Sequence, residues 1–156
     1  MGKAAGERAR RRRPDDRGAA LVEFALVLPI LALIIFGTIE FGWAFSQNLD
    51  VRHGAREAAR LAVVDFDDGD TATTAEEGIA NTACSRMDSS QATTITVSAP
   101  SGLSVGDYLE VTVTRQHAAL TGFVDFALPS SLASKVQMRL EQDASWTAST
   151  WSRTCP

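Results

Sequence analysis

The sequence predicts an α+β protein: a long N-terminal transmembrane helix extends into a small ectodomain with a short helix and a three-stranded antiparallel sheet. Three observations support this fold class. An apolar run begins near residue 19, helical periodicity continues to residue 64, and three later segments alternate apolar and polar residues. We therefore expect a basic cytosolic leader, a transmembrane helix, a helix extension and an extracytoplasmic α+β domain, covering residues 1–18, 19–45, 46–64 and 65–156.

The leader is strongly basic. Residues 1–18 contain seven Lys or Arg and three acidic residues, whereas the rest of the chain contains eight basic and sixteen acidic residues. Basic residues beside a membrane span usually remain in the cytoplasm. We therefore predict a single-pass protein of the cytoplasmic (inner) membrane, with its N-terminus inside and its C-terminal domain outside. The alternative for the run 10–13 is a patch for nucleic acid or anionic lipid, but its position beside a span favours topology, and we expect no nucleic-acid partner.

The apolar segment is long enough to cross a bilayer. Residues 24–39 contain no charge, and with its flanks the segment would form about 40 Å of helix. Glu23 lies inside this segment, where a bare carboxylate costs about 2.5–3.5 kcal/mol, so we expect it to have a partner. The alternative is a secretory signal peptide cleaved after Ser46, but the apolar run exceeds the roughly 7–15 residues typical of such peptides.

Further charged residues lie along the same predicted helix. Glu40 falls about 31 Å beyond the start of the span, at the outer interface. There we favour a solvated carboxylate beside Trp43 over a helix-packing contact. Arg52, Arg56 and Arg60 recur every fourth residue and therefore share one helix face. They are interpreted as a solvated basic stripe or, alternatively, as a contact surface for an acidic partner subunit.

An acidic loop at residues 65–70 is predicted to end the long helix. Its carboxylates partly match a calcium-binding loop, but the glycine and the aspartate after it are displaced from the required order, which favours a solvated turn. Thr74 and Glu77 then have the spacing of a capping box. This spacing predicts a short helix over residues 75–87.

The last third of the chain has the period of β-structure. Alternation predicts half-buried strands at residues 95–99, 109–114 and 136–141, with a looped hairpin between the first two. The apolar segment 118–129 is predicted to cross over the sheet. The tail that contains Trp146 and Trp151 is expected to be pinned to the domain.

Two cysteines, Cys84 and Cys155, both fall on the predicted outer side. In an oxidising compartment such a pair predicts a disulfide rather than two free thiols. Two cysteines without a histidine at ligand spacing do not make a tetrahedral metal site, so we expect no metal.

Residues 17–62 carry the most specific pattern in the chain. Gly18 and Ala19 are followed by Glu23 and Phe24, an arrangement that looks like a type IV prepilin cleavage site. With Pro29 and the segments 39–42 and 54–60, the pattern resembles the TadE-like family of pseudopilins from the tight-adherence (type IVc) pilus assembly system.

The resemblance implies that a prepilin peptidase cuts between Gly18 and Ala19 and removes the leader. Glu23 of one subunit would then neutralise the new N-terminal ammonium of a neighbour. The protein would be a minor pseudopilin that contributes to assembly or initiation of a Flp-type pilus together with other pilins and pseudopilins. It would act either in the membrane or within the extracellular pilus.

On this interpretation the protein is a substrate and structural component, not an enzyme, and we expect no cofactor. Two alternatives belong to other classes. The first is an uncleaved single-pass anchor that presents a sensory or adhesive ectodomain. The second is an envelope enzyme, but His53 and His117 are isolated in the sequence and no catalytic constellation is visible.

Overall fold

The computed structural model describes residues 16–66, 74–88 and 91–155. The first fifteen residues of the predicted leader and positions 67–70 of the predicted acidic turn lie outside this description. In chain order the described elements are α1 (Asp16–Val63), α2 (Ala75–Ser85), β1 (Thr93–Ser98), β2 (Tyr108–Gln116), a 3-10 turn (Asp125–Ala127), β3 (Ser131–Arg139) and β4 (Thr150–Thr154).

Helix α1 has two parts with different surroundings. It contains 48 residues and is about 72 Å long at 1.5 Å per residue. Its most apolar 18-residue window has a mean hydropathy of 2.7 and no buried residue, so this helix is long and apolar enough to cross a membrane. Beyond Phe36 one face becomes buried, at positions that include Gly37, Glu40, Ala44, Gln47 and Val51. The second part of α1 is therefore the central helix of the folded domain.

The sheet is antiparallel, as predicted, but it has four strands rather than three. Their order is β3-β2-β1-β4. The additional strand, β4, pairs with β1 and places Trp151 opposite Val97. Within β4 only Trp151 is buried, so this short strand lacks the repeated apolar alternation that revealed the other three.

The core lies between the helices and one face of the sheet. α1 packs against β2 and β3, and α2 packs against α1 and β4. Five apolar side chains of β1 and β2 are almost completely buried: Ile95, Val97, Leu109, Val111 and Val113. On β1 and β4 the opposite face carries hydroxyl pairs, such as Thr96 with Ser152 at 3.1 Å. The period-2 alternation thus separates an apolar inner face from a polar outer face.

Helix α2 is capped as predicted but is shorter at its C-terminus. The Thr74 hydroxyl accepts a hydrogen bond from the Glu77 backbone N–H at 3.3 Å. The helix ends at Ser85 because the chain leaves helical geometry at Arg86, whereas we predicted an end at residue 87. A disulfide joins Cys84 of α2 to Cys155, directly after β4. The structure therefore contains the predicted bridge, which ties the C-terminal tail to the domain.

The prediction for residues 118–129 was wrong. Strands β2 and β3 are antiparallel neighbours, so residues 117–130 connect a hairpin and do not cross over the sheet. We call these residues the β2–β3 loop. Its first part lies against α1 near the middle of that helix, in contact with Glu40 and Gln47.

Candidate functional site

The predicted processing site lies on the part of α1 that the domain leaves uncovered. Gly18, Ala19, Glu23 and Phe24 are all exposed. A Cβ added at Gly18 would meet no atom within 4 Å. Glycine costs about 1 kcal/mol relative to alanine in a helix, and Gly18 lies in the first turn of α1, where helices fray. The peptide bond after Gly18 is therefore accessible and in a weak part of the helix.

The partner that we expected for Glu23 is not found within the described residues of this chain. The ion pairs among those residues instead join Glu57 to Arg86, Asp50 to Arg115 and Glu110 to Lys135. Glu23 stands on a helix segment whose neighbours are apolar and exposed. In a bilayer this carboxylate would retain its insertion cost of about 2.5–3.5 kcal/mol until another group pairs with it.

Glu40 is completely buried (0% exposed), so the expectation of a solvated carboxylate was wrong. It accepts hydrogen bonds from the backbone N–H groups of Leu120 at 2.7 Å and Thr121 at 2.8 Å, and from the Thr121 hydroxyl. Leu120 binds one carboxylate oxygen and Thr121 the other. These contacts of Glu40 are within its own chain, to a loop about 80 positions later in the sequence.

Two further side chains on the same face of α1 hold the start of the β2–β3 loop. The Trp43 indole N–H and the Gln47 amide N–H both donate to the Ala118 carbonyl, at 2.9 and 2.8 Å. The Gln47 side-chain oxygen accepts from the Ala118 backbone N–H at 3.3 Å. Spacings of three and four residues place Glu40, Trp43 and Gln47 on one face of the helix. We call these three residues the Glu40 clamp.

A buried ion pair continues this face beyond the clamp. Arg115 of β2 is only 1% exposed, and its guanidinium lies 2.6 Å from the Asp50 carboxylate. It also donates to the Thr93 hydroxyl at 3.0 Å. A buried charge must be paired to be tolerated, so this contact fixes where β2 meets α1. This contact was not predicted from the sequence, although Arg115 follows the inward positions Leu109, Val111 and Val113 at the strand period.

The three arginines predicted as a subunit contact are all exposed. Within the described residues none of them forms an ion pair. Arg52 and Arg56 line a shallow cleft with residues 133–136 of β3, including Lys135, whereas Arg60 is not part of its lining. The three arginines, which we call the basic surface, are therefore open to solvent, and two of them border β3.

The side chain of Lys135 forms an ion pair on the outer face of the sheet. Its ammonium lies 2.7 Å from the Glu110 carboxylate, which also accepts from the Gln137 amide at 2.9 Å. The hydrogen bond from Lys135, and after it that from Gln137, holds the pKa of Glu110 below its usual value. This pair connects β2 to the edge strand β3.

The described residues contain neither a cluster of metal ligands nor a free thiol. Among residues 16–66, 74–88 and 91–155, no group of three or more His, Cys, Asp or Glu side chains is arranged to hold a metal ion. Both cysteines are consumed by the disulfide, so neither presents a free thiol. The chemically distinctive features of the described residues are thus the bare helix with Glu23, the Glu40 clamp, and the basic surface of Arg52, Arg56 and Arg60.

Comparison with known proteins agrees with the N-terminal pattern. Residues 18–60 match the family model described as TadE-like protein. No curated protein and no solved structure matches the chain. The matched segment comprises the bare part of α1, with Gly18 and Glu23, and the face that carries the clamp. Residues 18–60 are thus similar to the TadE-like family, the same family that the sequence pattern indicated.

Proposed function

We propose that this protein is a minor pseudopilin, processed by a prepilin peptidase, that contributes to assembly or initiation of a tight-adherence (Flp-type) pilus. The TadE-like match over residues 18–60 carries the proposal, because this family suggests a protein associated with the Tad pilus. The exposure of Gly18 and Glu23 on an uncovered helix adds support. As a structural component, the protein would need no catalytic activity of its own.

The proposed topology places the leader in the cytoplasm and the ectodomain outside the cytoplasmic membrane. The seven basic residues among the first 18 support this orientation, since basic flanks remain inside. The disulfide between Cys84 and Cys155 also fits an oxidising compartment. Both arguments support a position of the domain outside the cytoplasmic membrane.

The proposed cut lies between Gly18 and Ala19. Glycine has no side chain to obstruct the peptidase, and cleavage creates an ammonium at Ala19. Glu23 lies one helical turn away, about 6 Å along the axis. In the membrane the two groups can pair within one subunit. In a growing filament Glu23 pairs instead with the ammonium of a neighbouring subunit, which compensates the burial of both charges.

The basic surface is the second proposed subunit contact. Arg52, Arg56 and Arg60 are exposed on the part of α1 that lies beyond the apolar segment, where they are available to acidic groups of another pilin or pseudopilin. Exposed charge pairs contribute little affinity individually but orient partners as they meet. This surface would therefore act in docking, and Glu23 in the apolar packing of the helices.

The role of Glu23 is tested by counting pili on cells that express Glu23→Gln in place of the wild type. We expect a loss of pili comparable to that of a strain without the protein, because the amide keeps the size of the side chain but cannot neutralise an ammonium. The control is Leu26→Ala, which alters a neighbouring exposed residue of the same segment and is expected to leave pili near wild-type numbers. Wild-type numbers with Glu23→Gln would overturn the assigned role.

A second candidate function is that of an uncleaved single-pass anchor for a sensory or adhesive ectodomain. It is favoured by the disulfide-closed domain, which has its own core and follows directly from a helix long enough to span a membrane. Retention of residues 1–18 in the mature protein distinguishes this function from the first.

A further inference from the structure

The β2–β3 loop carries a cluster of exposed apolar side chains. Leu120, Phe123 and Phe126 are 56%, 51% and 87% exposed. Between positions 118 and 134 the only charged residue is Asp125. Single exposed apolar residues are ordinary, but a cluster that adjoins another apolar surface marks a contact with something else.

The position of this cluster along α1 is fixed by the structure. The ring of Phe123 packs against Phe36, with 5.4 Å between the centroids, and the Glu40 clamp holds the loop one turn further on. If the hydrocarbon core begins at Ala19, its thickness of about 30 Å corresponds to about 20 residues and ends near Thr38. Phe36 then lies within the outer leaflet, and Phe123 lies beside it.

The clamp residue Trp43 agrees with this depth. It lies seven positions beyond Phe36, about 10 Å further out along the helix. That distance places Trp43 at the level of the lipid headgroups, where tryptophan is enriched in membrane proteins. The loop therefore contacts α1 at the headgroup level through Ala118 and runs along the helix toward the hydrocarbon, where Phe123 meets Phe36.

Several polar groups of the loop backbone are satisfied inside the protein, as contact with lipid requires. The clamp binds the Ala118 carbonyl and the N–H groups of Leu120 and Thr121. The Phe123 N–H donates to the Thr121 hydroxyl at 3.3 Å. In the 3-10 turn the Ala127 N–H donates to the Val124 backbone carbonyl at 2.9 Å, and the Leu128 N–H donates to the Asp125 backbone carbonyl at 3.1 Å. These bonds reduce the cost of bringing the loop to lipid.

We propose that the β2–β3 loop is a second membrane contact, in which the side chains of Leu120, Phe123 and Phe126 enter the outer leaflet beside α1. The proposal rests on the proposed membrane anchoring of α1. Asp125 limits the depth, because its carboxylate must remain at the headgroup level. Anchoring at both the helix and the loop fixes the height and rotation of the ectodomain over the membrane, and with them the direction in which the basic surface faces.

The test places a photoreactive benzoylphenylalanine at single positions of the full-length protein, reconstituted in phospholipid vesicles at high and low protein-to-lipid ratios. The probe positions are Phe126 in the loop, Ile34 in the bare helix and Val105 in the β1–β2 turn, which is 61% exposed. Val105 lies beyond the opposite end of β2, about 30 Å from the β2–β3 loop. After irradiation, mass spectrometry identifies lipid and protein adducts, and an intact Cys84–Cys155 disulfide verifies folding.

We expect phospholipid adducts at positions 34 and 126 at both ratios, with a yield at 126 about tenfold above that at 105. Lipid adducts at 34 without adducts at 126 would overturn the loop contact and leave the anchoring of α1 intact. Protein adducts at 126 in place of lipid would also overturn it, by identifying the loop as a subunit interface. Absence of lipid adducts at 34 would remove the membrane anchoring itself, and with it the proposed function.

Discussion

At the residue scale, two glutamates on one helix have opposite environments. Glu23 is exposed on an apolar surface, and Glu40 is fully buried with its carboxylate bound by the β2–β3 loop. They are separated by 17 positions, or about 26 Å along the axis. The first carboxylate is thus available to another molecule, while the second positions a part of its own chain. Both belong to the TadE-like segment.

Replacing Glu40 by Gln tests the clamp. The glutamine amide has only one oxygen. Its NH2 group would therefore face a backbone N–H group that now donates a hydrogen bond to the second carboxylate oxygen. We expect the ectodomain to lose about 1.5–3 kcal/mol of unfolding free energy, the usual contribution of hydrogen bonds to a charged group. Denaturant unfolding of the full chain in detergent measures this loss, with the near-UV circular dichroism of the tryptophans as the signal.

The matched control for that experiment is Glu110→Gln, which removes another hydrogen-bonded carboxylate. The Glu110 side chain is 25% exposed and pairs with a lysine that is 57% exposed. Such surface pairs contribute about 0–1 kcal/mol. Losses of the same size in the two variants would show that the clamp has no special structural role.

Gly54 is the second residue with a specific structural requirement. A Cβ at this position would lie 1.8 Å from the Met87 sulfur, so Gly54→Ala must displace a buried side chain. We expect a net loss of up to about 2 kcal/mol in unfolding free energy, because overpacking costs about 1–3 kcal/mol and alanine recovers about 1 kcal/mol of helix propensity. In a Met87→Ala background the same change should stabilise the protein by about 0.5–1 kcal/mol, because alanine is the better helix former.

A double-mutant cycle over these two positions measures the coupling directly. The four proteins are compared by denaturant unfolding under identical conditions. If Gly54→Ala changed the unfolding free energy equally with and without the methionine, the close approach of α1 to Met87 would not explain why glycine occupies this position.

At the element scale, the disulfide between Cys84 and Cys155 holds β4 at the edge of the sheet. This edge strand contains five residues and is hydrogen-bonded to β1 on one side. The disulfide from Cys155 to Cys84 closes a sequence separation of 71 residues. Closing a loop of this length contributes about 4 kcal/mol in the entropic account of disulfides.

Replacing both cysteines by serine should therefore affect β4 before the rest of the sheet. We expect hydrogen exchange at the amides of β4, including Trp151, to accelerate more than exchange at Val111 in the central strand β2, because an edge strand can open locally. Mass-resolved exchange of the oxidised and the serine proteins provides the comparison. Equal acceleration in both strands would contradict a local role for the bridge.

The regular elements could be predicted from the sequence because most of them bury a repeating stripe, and the bare part of α1 is a continuous apolar run. Period-3.6 and period-2 patterns identified both helices and the strands β1, β2 and β3. β4 was missed because Trp151 is its single buried residue. The docking of the β2–β3 loop on α1 was also missed, because the Glu40 clamp binds backbone N–H and C=O groups that are common to all residues and leave no pattern in the sequence.

The candidate site was predictable where its functional residues lie within a few positions of one another in the sequence. Gly18, Glu23 and the three arginines stand out from the sequence alone, and the family match over residues 18–60 agrees with that pattern. Arg115 could have been found, since a charge at an inward strand position requires a partner. That this partner is Asp50, 65 positions earlier, emerges only from the tertiary fold.

At the scale of the whole molecule, the chain combines a bare apolar half-helix with a domain packed around the other half. In the proposed topology, the seven basic residues that precede the apolar segment would keep the N-terminus in the cytoplasm. Removal of residues 1–18 would eliminate seven basic and three acidic side chains and free the end of α1 for packing with other subunits. Processing is therefore the step on which the proposed function depends.

The most direct test of that step is the N-terminal sequence of the protein extracted from membranes of cells with and without their prepilin peptidase. We expect the chain to begin at Ala19 in the first cells and to retain residues 1–18 in the second. Gly18→Val, which adds a branched side chain at the cut, should retain the leader in both strains. A chain that begins at or near Met1 in both strains would contradict the pseudopilin pathway and favour the uncleaved anchor.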